Sequence, residues 1–171
     1  MHQSKTGISP ARMKRDNANA LTFATAAPLH LGMKQFSRQI TIATRGRGFY
    51  EFTDEVGKLL RGAAIHTGLA TLFVQHTSAS LLIQENADPE VRRDLEMFFS
   101  RLVPDGDPAW RHDSEGPDDM PAHVRAALTA THLSIPVTQG ELALGTWQGI
   151  YLWEHRTAPH QRRVMAHFLG E

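Results

Sequence analysis

From Met33 to Ala43 apolar and polar positions alternate loosely, with Phe36, Ile40 and Ile42 set against Gln35, Gln39 and Thr41. A period of two predicts a strand with one wet face. Arg45-Gly46-Arg47-Gly48 marks a turn, and Phe49 to Phe52 a short extended piece. Thr53 suits an N-cap, with Asp54 and Glu55 in the first turn, where the positive end of a helix favours them. That predicts a helix to about Ala64 with Val56, Leu59 and Leu60 inward. Leu69 to Gln75 is almost wholly apolar, which predicts a central strand buried on both faces. His76-Thr77-Ser78-Ala79 interrupts the pattern, and Ser80 to Gln84 resumes it.

Asp88 and Pro89 supply a cap and a first helical residue. Val91, Leu95, Phe98 and Leu102 then recur at i, i+4, i+7 and i+11, one face of a helix. Pro104 to Pro108 stops it. Pro121 fits the first turn of a third helix, to about Ala130, with Val124, Ala127 and Leu128 inward. Strands follow at His132 to Thr138, Glu141 to Leu144, Trp147 to Glu154 and Arg162 to Phe168, divided by Gln139-Gly140, Gly145-Thr146 and a Pro159 loop. Ile150 and Leu152 share a strand face with Gln148 and Glu154. Hairpin-length links and an excess of strands predict an α+β fold, one compact domain with a largely antiparallel sheet and about three helices. Residues 1–32 show no period and carry net +3 against −3 for the remainder. They read as a disordered extension, an arm toward a partner subunit, with Met33 a candidate start and 33–171 the domain.

Composition narrows the chemistry. Of 171 residues 41% are apolar and 21% charged, a globular balance with a single ordinary core. The formal net charge is zero, which gives no footprint for nucleic acid or a membrane surface. There is no cysteine, so disulfides, thiolate nucleophiles and Cys-ligated metals are excluded. No apolar run nears the roughly 20 residues that span a bilayer. Basic residues before ALTFATAAP give a trace of a secretion signal, but Asp16 and Asn17 precede it and the apolar part is short. A cytoplasmic protein is expected.

The stretch Trp110 to His123, WRHDSEGPDDMPAH, concentrates His112, Asp113, Glu115, Asp118, Asp119 and His123 around Gly116, Pro117 and Pro121. Imidazole suits zinc and other transition metals, and carboxylates suit magnesium or manganese. The alternative is a solvated turn whose Asp118 and Asp119 favour the following helix N-terminus. His76-Thr77-Ser78 ends a buried strand, where functional residues gather or hydroxyls cap a turn. A Ser78 nucleophile with His76 or His112 as base is a further reading, without a GxSxG motif behind it. Gly145-Thr146-Trp147-Gln148 could offer backbone N–H groups to an anion, with Arg156 as a fixed charge, or be a glycine kink beside a core tryptophan.

QHTSASL from Gln75, ENADP from Glu85, HDSEGPDDMPAH from His112, LGTWQGIYLWEHR from Leu144 and RRV from Arg162 resemble the YjbQ-like family in one register from Met33 to Glu171. The resemblance implies a compact α+β fold, a homotrimer with polar clefts near subunit boundaries, and thiamine-phosphate synthase activity. That reaction joins a hydroxymethylpyrimidine diphosphate to a thiazole phosphate with loss of pyrophosphate. The activity is regarded as secondary, which leaves the physiological substrate open. Loss of pyrophosphate needs charge neutralised by a metal or by Arg and His. The candidate site then has His76, Asp119 and His123 as catalytic residues and His112, Glu115 and Asp118 as ligands of a divalent metal, magnesium or zinc. Thr77, Ser78, Asn86, Gly145, Thr146, Gln148 and Arg156 would bind the anion of a small phosphorylated metabolite. A metal-dependent hydrolase or phosphatase and a non-enzymatic metabolite- or metal-binding trimer are the alternative readings.

Overall fold

The alternating stretches assemble into two antiparallel sheets with the core between them. The computed structural model describes residues 32–171, so the expected extension lies outside it but for its last residue. The described chain runs β1 (Lys34–Ala43), β2 (Gly48–Glu51), α1 (Thr53–Ala63), β3 (Gly68–Val74), β4 (Ala79–Glu85), α2 (Pro89–Leu102), α3 (Asp119–Leu128), β5 (His132–Thr138), β6 (Glu141–Leu142), β7 (Gln148–Glu154) and β8 (Gln161–Gly170). One sheet has the order β1-β8-β3-β5-β6 and the other β2-β7-β4. The fold is α+β, with three helices among the described residues, none of them long and apolar enough to cross a membrane.

Register explains the core. In β3, Ala70, Leu72 and Val74 face inward beside Phe168, Ala166 and Val164 of β8. Across the gap stand Leu81 of β4 and its partner Leu152 of β7, with Ile150 beside them. Val56 and Leu60 of α1 close one end. Thr53 is the first residue of α1 and not its cap: its hydroxyl donates to Glu51 and accepts the Ile150 N–H at 2.8 Å.

The strand buried on both faces is β7, not β3. Every residue from Gly149 to Glu154 is buried, because α2 covers the far side. There Phe99 of α2 meets Trp153 edge-on at 4.7 Å, Phe49 of β2 stacks on Trp153 at 4.5 Å, and Trp153 Nε1 donates to Glu96. The outer face of β3 has no such cover among the described residues. Leu69 is 41% exposed and Phe73 49%, flanked by Leu169 of β8.

Two helices present other faces than the apolar spacing predicts. In α2, Phe98 and Leu102 point to solvent while the Arg92–Glu96–Phe99 stripe meets the three-stranded sheet. In α3, Leu128 is exposed and Arg125 fully buried, donating to Glu96 and to the Val103 carbonyl. An ion pair and an indole hydrogen bond on Glu96 thus set the rotation of both helices. The third helix also starts two residues earlier than Pro121, at Asp119.

Candidate metal centre

Asp119 opens α3 and His123 lies one turn on, so both side chains share a helix face. The preceding loop returns His112 to the same point. One ligand atom from each of His112, Asp119 and His123 falls within 4.8 Å of the others, and the two rings and one carboxylate form a group suited to one ion. Asp119 is 2% exposed, and its Oδ2 is buried without a hydrogen-bond donor in suitable geometry among the described residues. His112 Nε2 lies 2.8 Å from that oxygen, and His123 Nε2 3.7 Å from Oδ1. A buried carboxylate oxygen left unmatched is costly unless something else satisfies it. A cation between Oδ2 and the imidazoles would do so.

The ring of His123 is already set for this. Its Nδ1 sits 3.1 Å from the Thr77 carbonyl, which can only accept. Nδ1 therefore carries the proton, and in the neutral ring Nε2 keeps its lone pair toward Asp119. Thr77 contributes through its backbone rather than its hydroxyl.

Arg156 fixes the carboxylates. Its guanidinium donates to Asp119, to Asp118 Oδ2 at 3.3 Å, and to the Glu115 carbonyl at 2.7 Å, with the Glu115 carboxylate at 3.4 Å. Burial alone would raise the Asp118 carboxyl, but the Thr157 N–H, the Thr157 hydroxyl and Arg156 hold it below the usual carboxylate range. Burial pulls Arg156 the other way, yet these carboxylates raise it above the ordinary arginine value. Arg156 is thus an internal clamp with its donors occupied, not a charge held open to a substrate anion. Asp118 and Glu115 serve that clamp, so the three-ligand set draws Asp119 and His123 to His112 in their place.

His76 belongs to a neighbouring network. Its Nε2 accepts the Arg163 N–H at 2.8 Å, and its Nδ1 lies 3.5 Å from Arg162. Burial first, then Arg162 and Arg163, lower its pKa, which favours the neutral ring. Arg162 also donates to the Ser78 hydroxyl at 3.1 Å and to Glu154 at 2.7 Å. Burial would raise Glu154; Arg162 and the Arg156 N–H hold it low. Ser78 therefore meets a guanidinium, with no imidazole bonded to it among the described residues. Arg162 and Glu154 stand inside RRV and LGTWQGIYLWEHR yet are not among the candidate site residues, although a charged residue of inward parity in a strand is a legible signal.

Asn86, Gly145, Thr146 and Gln148 lie elsewhere. Gln148 begins β7 and Glu154 ends it, six strand steps or about 20 Å apart. At the Gln148 end its side-chain oxygen accepts the Gly145 N–H at 2.7 Å, and the Asn86 N–H binds the Trp147 carbonyl. Within one chain these residues do not join the His112–Asp119–His123 group.

A model of the UPF0047 protein YjbQ-like family matches residues 38–171. A UPF0047 protein of Synechocystis sp. is 51% identical over 138 residues, 81% of this chain and 94% of its own. The UPF0047 protein YjbQ of Salmonella typhimurium is 47% identical, over 80% and 99%. Among solved structures, a YbjQ-like protein from Sulfolobus solfataricus has a TM-score of 0.74 at 26% identity, covering 81% of this chain and 99% of that one. A conserved hypothetical protein from Thermus thermophilus has a TM-score of 0.67 at 38% identity, covering 75% and 97%.

Proposed function

The chain belongs to the UPF0047 YjbQ-like family, and from that premise we propose a cytoplasmic, metal-dependent enzyme acting on a small phosphorylated metabolite, centred on His112, Asp119 and His123. The observation that carries this reading is the buried Asp119 Oδ2, without a hydrogen-bond partner among the described residues and 2.8 Å from His112 Nε2. Two imidazoles and one carboxylate are a three-ligand set of the zinc type, which leaves a coordination position free; the same set also suits ferrous iron. A divalent ion there would polarise a phosphoryl oxygen or lower the pKa of a bound water. With neutral histidines and one aspartate it would keep a net positive charge, so the anion would meet the ion itself rather than Arg156.

Hydrolysis of a phosphate ester suits this donor set best. A magnesium centre on several carboxylates, which pyrophosphate loss commonly uses, would have to take Glu115 and Asp118 away from Arg156. Thiamine-phosphate synthase activity is the second reading, favoured by the free coordination position, which a diphosphate oxygen could fill. Asp119 would hold the ion, His112 and His123 complete the set, and the Thr77 carbonyl keep His123 in the ligating tautomer. We propose also a homotrimer, supported by the uncovered Leu69, Phe73 and Leu169 on the larger sheet.

Native mass spectrometry with elemental analysis, on protein purified without chelator, tests both at once. The expected result is a trimer with one zinc or iron per chain, lost in His123→Ala and Asp119→Asn. Protein that neither carries nor takes up zinc or ferrous iron overturns the metal centre. With the metal shown, turnover of p-nitrophenyl phosphate alone marks a hydrolase. Product only when pyrimidine diphosphate and thiazole phosphate are both present marks the synthase.

A further inference from the structure

A cavity of about 350 Å³ opens beside the triad, and His112 belongs to both. Its other walls come from the loop between α2 and α3. Asp107, Pro108, Trp110, Asp113 and Pro117 line it. The loop is closed by its own backbone: the Gly106 N–H donates to the Pro117 carbonyl at 2.9 Å, and the Gly116 N–H to the Asp113 carbonyl at 3.0 Å. Asp107 accepts the Ala109 N–H on its side chain and the Trp110 N–H on its carbonyl. These bonds fix the backbone that carries Trp110 and the two prolines.

The lining chooses the ligand by shape and sign. An indole and proline rings are flat or rigid apolar surfaces against which a planar ring packs with little entropy cost. Asp107 and Asp113 are acceptors only when ionised, and no lysine or arginine lines the cavity among the described residues. Such a field repels a phosphate and attracts an amino group or a cation. The volume lies at the small end of ligand sites and accepts one or two fused rings.

We propose that this cavity binds the part of the substrate that carries no phosphate: a planar ring bearing amino groups or positive charge, stacked on Trp110 and hydrogen-bonded to Asp113. The proposal rests on the metal-centre reading in one respect. His112, shared by wall and triad, would then set the ring beside the phosphorus atom that reacts.

Calorimetric titration of the full, zinc-loaded chain with benzamidine, neutral benzamide and non-planar cyclohexanecarboxamidine separates charge from planarity. Benzamidine is expected to bind about tenfold more tightly than either of the other two. Asp113→Asn, at an exposed side chain, should cut benzamidine affinity several-fold and leave benzamide unchanged. Trp110→Ala should weaken both planar probes without altering zinc uptake. Equal affinity for all three probes, or benzamidine affinity unmoved by Asp113→Asn, overturns the proposal even if Trp110→Ala fails to fold. Failure of the metal centre looks different: zinc uptake is absent while the preference for benzamidine stands. His123→Ala, outside the cavity lining though its ring lies 5.4 Å from that of His112, should abolish zinc uptake and keep that preference.

Discussion

The two ends of β7 are built from opposite materials. At the Gln148 end the side-chain contact is neutral: one amide folds back on the Gly145 N–H, the Asn86 N–H binds the Trp147 carbonyl, and Trp147 is 64% exposed. At the Glu154 end the strand runs into Glu154, His155 and Arg156, all buried, and the side chains of all three bond to other elements. Glu154 holds Thr44 and Arg162, and Arg156 holds the loop before α3 and the first turn of that helix. One end tolerates change because its parts are solvated. The other cannot be altered without leaving a buried charge unmatched, and that rigidity is what three ligands need to keep one geometry.

Arg156→Ala should break the contrast most. It strands Asp118 and Asp119 as buried carboxylates, with an expected loss of about 3–5 kcal/mol read from urea unfolding. Zinc uptake should weaken with it, since Asp119 loses its orienting partner. A loss under 1 kcal/mol, on the order of a solvated surface pair, would mean that the Glu154 end is as forgiving as the other.

A pH titration of stability is the next sharpest probe. His155 is fully buried, its Nε2 on the Ser80 hydroxyl at 2.9 Å and its Nδ1 unpartnered among the described residues. Burial, then Arg125, Arg47 and Arg162, push its pKa down from 6.5 to about 3. Between those values the unfolded chain binds the extra proton and the folded one does not. Stability should therefore fall as pH drops from about 6.5 to about 3 and lose nothing further through this group below that. In His155→Gln the urea midpoint should vary less across the same range; an unchanged profile would assign the acid sensitivity to other groups.

Gln148→Ala should do least. It removes one neutral, exposed hydrogen bond, worth about 1 kcal/mol or less by thermal unfolding, and leaves zinc uptake as it was. If it lowers turnover without touching stability or zinc, the two ends of β7 meet across subunits of the proposed trimer.

Much of this was legible in the chain. The strands at Phe36–Ile42 and His132–Thr138, the Asp88-Pro89 helix start and the crowding of His112, Asp119 and His123 all follow from spacing and turn chemistry. Depth of burial did not. Leu69–Val74 and Gly149–Trp153 are both apolar runs, and only the placement of α2 decides which is covered twice. The faces of α2 and α3 depart from the apolar spacing because Glu96, a polar residue, anchors Arg125 and Trp153 while Phe98 and Leu128 stay exposed. The clamp on Arg156 was hidden too. Partners 37 and 38 residues away in sequence leave no local pattern, and an isolated arginine reads the same whether it awaits an anion or already holds three carboxylate side chains.

The place of β8 between β1 and β3 has a consequence for how the chain acquires its structure. The larger sheet is completed by the last strand in chain order, which pairs along ten residues with the first. During synthesis β1 has no neighbour until about 120 further residues have been made. Its row of backbone donors and acceptors stays open for that interval, as does the flank of β3. Such long-range closure makes for slow folding and a long exposure to mispairing. The smaller sheet waits as well, since β2 and β4 both pair with β7, but β7 is made before β8, so that sheet can close while the larger one is still missing its middle.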